Sequence, residues 1–112
     1  MDQTTLQNMR IELRRGTQTL AVMSQLKKMQ YGYSLLQNLE KTNTPIEAGT
    51  LYPLMRRLES QGLLKSEWDT TESRPRKYYS LSDDGEEAFE LLKKEWEAIS
   101  EEMAALLKEE KQ

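Results

Sequence analysis

Six apolar residues near the C-terminal end, Phe89, Leu92, Trp96, Ile99, Met103 and Leu106, are spaced 3, 4, 3, 4 and 3 residues apart. That spacing keeps a single apolar line on one side of a helix, as in a coiled-coil seam. A helix from Asp83 to Lys108 would be roughly 39 Å long at 1.5 Å per residue. The rest of the chain, about 80 residues, makes a domain too narrow to cover such a line. The seam must find another partner, and a second copy of the chain is the simplest one. The spacing therefore predicts a homodimer. Leu6, Met9 and Leu13 of a first helix are expected to pack across Leu92, Trp96, Ile99, Met103 and Leu106 in its interface.

Residue types that are missing narrow the function. The 112 residues include no cysteine and no histidine. Disulfides, Cys/His metal sites, cysteine nucleophiles and histidine-dependent triads are thereby excluded. The carboxylates are dispersed along helix surfaces, so no enzyme, metal or cofactor is expected. No apolar run reaches the length of about 18 residues that a membrane span requires. The N-terminus has no charged-then-apolar export pattern, which points to a cytoplasmic location. Net charge is −3, but it is unevenly distributed: residues 1–82 hold 12 Lys/Arg against 8 Asp/Glu, and residues 83–112 hold 4 against 11. A basic surface can thus exist on an acidic protein, and the sign of the total does not argue against a nucleic-acid partner.

Along the chain, Leu6, Met9, Leu13, Leu20 and Met23 trace a helical stripe between about Thr4 and Met29. Apolar content widens over Leu20 to Met23, which suggests burial on more than one side. A second helix, with Leu35, Leu36 and Leu39 inward, follows a break near Tyr31 and Gly32. The third begins in one of two ways. Thr44 can cap it with Pro45 in the first helical position and Glu47 completing a capping box. Alternatively Thr50 is the cap and Pro53 falls in the first turn, where its missing donor costs nothing. Gly62 ends it in either case. Its inner side is Leu51, Leu54, Met55 and Leu58; its outer side is Gly49, Pro53, Arg56 and Ser60, flanked by Thr50, Tyr52 and Arg57.

After Gly62 the period changes from helical to alternating. "LLKSEWD" and "RKYYSLS", joined by the polar "TTESRPR", predict a β-hairpin that brings Arg74, Arg76 and Lys77 together. Trp68 is expected in the core. Ser82 then caps the last helix, and the acids that follow it suit a helix start rather than a metal site. Three helices, a two-stranded β wing and a long helix make a mainly α fold, a winged helix-turn-helix with a C-terminal dimerisation helix. Residues 1–82 are expected to form the DNA-binding domain, with the first helix also in the dimer interface, and residues 83–112 the dimerisation helix.

The segments "RGTQTLAVMSQL", "YGYSLLQNLE", "GTLYPLMRRLESQGLL", "SEWD" and "RPRKYYSLSDDG" resemble, in order and spacing, the PadR family of bacterial transcriptional regulators. The single C-terminal helix resembles the smaller PadR subfamily. The resemblance implies a repressor that binds double-stranded operator DNA as a dimer and is relieved by a small aromatic or drug-like effector. An outer helix face of glycine, proline and arginine suits the close approach of another backbone. Arg56 is expected at base edges, with Thr50, Tyr52 and Pro53 beside it, while Arg57, Arg74, Arg76 and Lys77 neutralise phosphates. By the same resemblance, a tryptophan on the last helix stacks planar effectors between subunits, which nominates Phe89, Trp96, Ile99 and Ser100. The competing expectation is a winged-helix module that binds protein instead of DNA.

Overall fold

A computed structural model describes residues 1–44 and 46–108 of the chain. Helix α1 (Gln3–Ser24) begins with Asp2, whose carboxylate accepts the Thr4 N–H at 3.1 Å. It stops at Ser24, five residues before the expected end near Met29. There Gln25 and Leu26 turn back onto the carbonyls of Val22 and Met23, and the fully buried Leu26 gives its own carbonyl to the Leu81 N–H. The chain leaves the helix in order to anchor the sheet. That departure creates a strand that alternation alone could not reveal, β1 (Gln30–Tyr31).

Helix α2 (Gly32–Lys41) ends in a left-handed residue, Asn43 at φ 58°. The Thr44 N–H bonds to the Leu39 carbonyl and the Asn43 N–H to that of Glu40. This is the paired hydrogen bonding of a Schellman stop, with asparagine in the place glycine usually takes. Thr44 is thus occupied in closing α2 and does not cap the next helix. Pro45, expected at the first helical position, lies outside the described residues. Helix α3 (Ala48–Ser60) starts from Glu47, whose carbonyl accepts the N–H groups of Thr50 and Leu51, both at 2.9 Å. Neither Thr44 nor Thr50 is the cap, and Pro53 falls in the second turn. Gly62 (φ 79°) ends the helix as expected, with the Leu63 N–H bonded to the Leu58 carbonyl.

The hairpin consists of β2 (Leu64–Asp69) and β3 (Arg76–Leu81), paired antiparallel from Leu64 opposite Leu81 to Asp69 opposite Arg76. β1 joins the other edge of β3, so the sheet has three strands in the order β1-β3-β2 rather than two. Helix α4 (Asp83–Lys108) follows directly. Ser82 Oγ accepts the Gly85 N–H at 3.0 Å and donates to the Gly62 carbonyl at 2.6 Å, which ties the start of α4 to the end of α3. Gly85 fits because the Leu63 carbonyl lies where a Cβ would be.

One core lies between these elements. Val22, Met23 and Leu26 meet Leu35 and Leu39, the inner side of α3, Leu64, Tyr79 and Leu81, and Phe89. Leu51, Leu54, Met55 and Leu58 are all buried, as their spacing predicts. Beyond Phe89 helix α4 leaves the domain, and the molecule measures 62 × 34 × 23 Å. Trp68 is not in the core. It lies on the outer part of the hairpin, 63% exposed, past the point where β2 still rests on α3.

Candidate nucleic-acid interface

Helix α3 presents Gly49, Thr50, Pro53, Arg56, Arg57 and Ser60 to solvent while its apolar side is buried. Pro53 lacks an N–H, so the carbonyl of Gly49 receives no helical hydrogen bond from it, a cost of about 3 kcal/mol in a helix interior. Four buried residues of α3 hold the helix together across that gap. The outcome is a short outer surface of glycine and proline, low in profile, with arginines beside it. Among the described residues, Arg56, Arg57 and Arg74 form no ion pair.

Tyr52 connects this face to the wing. Its ring packs against Gly32, where an added Cβ would come within 2.7 Å of Tyr52 Cε1. A groove of about 700 Å³ lies beside it, lined by Tyr52, the α2 start (Gly32, Tyr33, Ser34), Tyr31, Tyr79 and the wing residues Arg74, Arg76 and Lys77. Four of the eight residues expected to touch DNA therefore meet in one place. Pro53, Arg56 and Arg57 lie on the exposed side of α3, and Thr50 lines a different cleft of about 1000 Å³ with Arg10 and Arg14 of α1. Sequence reasoning missed Tyr33 and Ser34, although "YGYS", a glycine between aromatic residues at a helix start, was the signal available.

The wing cations are held to different degrees. Lys77 Nζ lies 3.2 Å from Glu59 of α3, and both side chains are only 30% exposed. Glu59 also accepts a hydrogen bond from the Ser66 hydroxyl. Ser66 first, and then Lys77, hold the Glu59 carboxyl below the usual carboxylate range, against the opposing effect of burial. Lys77 thus fastens the wing to α3 as well as contributing charge. Arg76 pairs with Glu72 at 3.2 Å, and its guanidinium sits 5.0 Å above the Tyr31 ring.

The residues expected at the interface and effector site are divided by the structure. Phe89 belongs to the core of the single chain, with Lys27 Nζ 4.8 Å above its ring, and so is separated from the bare part of the seam. Leu92, Trp96, Ile99, Met103 and Leu106 are 41–61% exposed, and Ser100 is exposed among them. On α1, Met9 and Leu13 are 61% and 82% exposed, and Leu6 is half-buried. No helix of the described residues is long and apolar enough to cross a membrane.

The model of the transcriptional regulator PadR-like family matches residues 19–91. A crystal structure of a PadR family transcriptional regulator from Eggerthella lenta is similar over 93% of both chains, with 48% identity and a TM-score of 0.87. A PadR-like transcription factor from Bacteroides fragilis shares 33% identity, covering 88% of this chain and 98% of its own, with a TM-score of 0.74. Among curated proteins, a transcriptional regulator of Mycobacterium tuberculosis is 38% identical over 58 residues, 52% of this chain. That match spans about half of the curated relative, 54% of its length.

Proposed function

Since the chain belongs to the PadR-like family of transcriptional regulators, we propose that it binds operator DNA in a sequence-specific way as a homodimer and represses transcription. The observation that carries this reading is the joining of an exposed, arginine-bearing α3 face to a groove that gathers Arg74, Arg76 and Lys77. In a helix-turn-helix arrangement such a helix enters the major groove while flanking groups hold the backbone. Arg56 reads base edges; Thr50, Tyr52 and Pro53 come close to the duplex; Arg57, Arg74, Arg76 and Lys77 neutralise phosphate. Residues 1–82 carry this activity.

Residues 83–112 act as the dimerisation arm. The support is the exposure of Leu92, Trp96, Ile99, Met103 and Leu106 along α4, together with Met9 and Leu13 on α1. Each would lose its water-exposed apolar surface against a second copy, which stabilises by about 25 cal/mol per Å². A small aromatic effector inserted beside the paired Trp96 rings, near Ile99 and Ser100, would shift the dimer only through unequal affinity for DNA-competent and incompetent forms. A chain that acts on operator DNA in this way works in the cytoplasm, where bacterial DNA lies.

The test is an anisotropy titration of the full chain against duplex DNA from its own upstream region, with unrelated duplex as competitor. Specific binding that resists the competitor supports the reading. No binding at low salt would sink it and leave a protein-binding winged helix. Quenching of Trp96 by planar aromatic compounds, retained in Trp68→Phe and lost in Trp96→Phe, tests the effector.

A further inference from the structure

Where β1 passes into α2, the wing is held by a cluster of side chains that the DNA-contact list does not use. Tyr31 is both the last residue of β1 and the residue before the first turn of α2. Opposite it on β3 stands Tyr78, and the two rings stack with centroids 3.9 Å apart. The Tyr78 hydroxyl donates to Tyr31 Oη, and the Tyr31 hydroxyl donates to Asp69 Oδ2 at 3.2 Å. Tyr78 Oη itself lies 3.4 Å from the same carboxylate oxygen. The other oxygen, Oδ1, accepts the Thr71 N–H at 3.0 Å and its hydroxyl at 2.7 Å. Asp69 therefore joins the wing turn, the end of β2 and the start of α2 at one point. Its register partner across the hairpin is Arg76, whose guanidinium lies over the Tyr31 ring.

A two-stranded hairpin is marginally stable by itself, and the polar residues beyond Asp69 have no core beneath them. We propose that Asp69, Tyr31 and Tyr78 form a lock that sets the angle of the wing against α2 and thereby positions Arg76 toward the duplex. The proposal rests on the DNA-binding reading above. It makes Asp69 a positioning residue for an anionic partner despite its own negative charge, and this reverses the sign of a simple expectation. If Asp69 were only a surface charge, its removal would lessen repulsion from phosphate and tighten binding. If it holds the lock, its removal weakens binding, because Arg76 must then be ordered at the moment of association.

The experiment compares the full wild-type chain with Asp69→Asn, Tyr31→Phe and Arg76→Ala on upstream duplex DNA across a salt series. Asp69→Asn and Tyr31→Phe are expected to raise Kd on the order of three- to tenfold and to reduce the salt slope by about one unit, the share of one phosphate contact. In an Arg76→Ala background neither should add a further loss, since their effect passes through Arg76. Tyrosine absorbance in alkali gives a readout independent of DNA: Tyr78, pushed up to about 12 chiefly by its hydrogen bond with Tyr31, should fall toward its ordinary value in Tyr31→Phe. Wild-type binding with Asp69→Asn unchanged or tighter, or with an unaltered salt slope, overturns the lock alone. A wild-type chain that binds no duplex overturns the DNA reading and the positioning role together.

Discussion

Helices α3 and α4 have apolar residues at similar helical spacings, yet one stripe is covered and the other bare. Leu51, Leu54, Met55 and Leu58 of α3 are at most 5% exposed, whereas Leu92, Trp96, Ile99, Met103 and Leu106 of α4 are at least 41% exposed. The difference does not come from hydrophobicity. α3 is surrounded by α2, β2 and the end of α1, while α4 continues past the domain after Phe89. A stripe whose surroundings are supplied by its own chain contributes to folding. One that outruns those surroundings stays exposed unless a second surface covers it. The outer sides differ as well: α3 carries arginines and a low Gly/Pro surface, and α4 carries nine of the nineteen acids.

Breaking the covered stripe should have the largest effect. Leu51→Ala is expected to cost about 2–5 kcal/mol of folding stability, because Leu51 is fully buried and leaves a cavity; urea denaturation measures it. On the bare stripe, Ile99→Asp should leave protomer stability within about 0.5 kcal/mol, as for a surface site. The dimer dissociation constant, measured by ultracentrifugation, should instead rise on the order of a hundredfold, near 2.8 kcal/mol. A wild-type chain that is monomeric at micromolar concentration would remove the distinction altogether.

Smaller effects sharpen the contrast on the outer side of α3 and on the wing. Arg56→Ala is expected to weaken binding to the specific duplex by about 1–3 kcal/mol and to relax preference at one base position. An equal loss on every sequence would move Arg56 to the phosphate contacts. Arg74→Ala should reduce the salt slope by about one unit without changing sequence preference. The smallest effect is on pH dependence. Tyr78 is raised from 10.0 to about 12, foremost by its hydrogen bond with Tyr31, so the fold prefers the neutral phenol. Its contribution is complete below pH 10 and is lost as pH rises through 12, so wild type should lose stability across that window relative to Tyr78→Phe.

Much of the fold was legible because its signals are local. Gly62 ends α3, Ser82 begins α4, and the α3 inner stripe and hairpin follow from their periods. The errors arose where a local rule competed with a distant partner. Thr44 has the chemistry of a helix cap but is used by Leu39 to finish α2. α1 stops early because Leu26 is needed by Leu81, and that contact also creates β1. Trp68 shares a strand side with the buried Leu64, but this outer end of β2 is exposed. In the candidate site, the arginines were visible from composition and helical spacing. Their convergence with Tyr31, Tyr33 and Ser34 was not, since the α2 start lies about forty residues before Arg74, Arg76 and Lys77 in sequence.

By itself the sequence determined the order of the four helices and the β2-β3 hairpin, the two sides of α3 and the presence of an apolar line too long for its domain. These depend on the period of the backbone and on caps a few residues away, which any local reading contains. Only the tertiary structure decided which apolar residues are covered, that Phe89 belongs to the core while Trp96 does not, and that Asp69 meets Tyr31. Those outcomes depend on separations in space, and segments distant along the chain become neighbours only when the sheet closes on the helices.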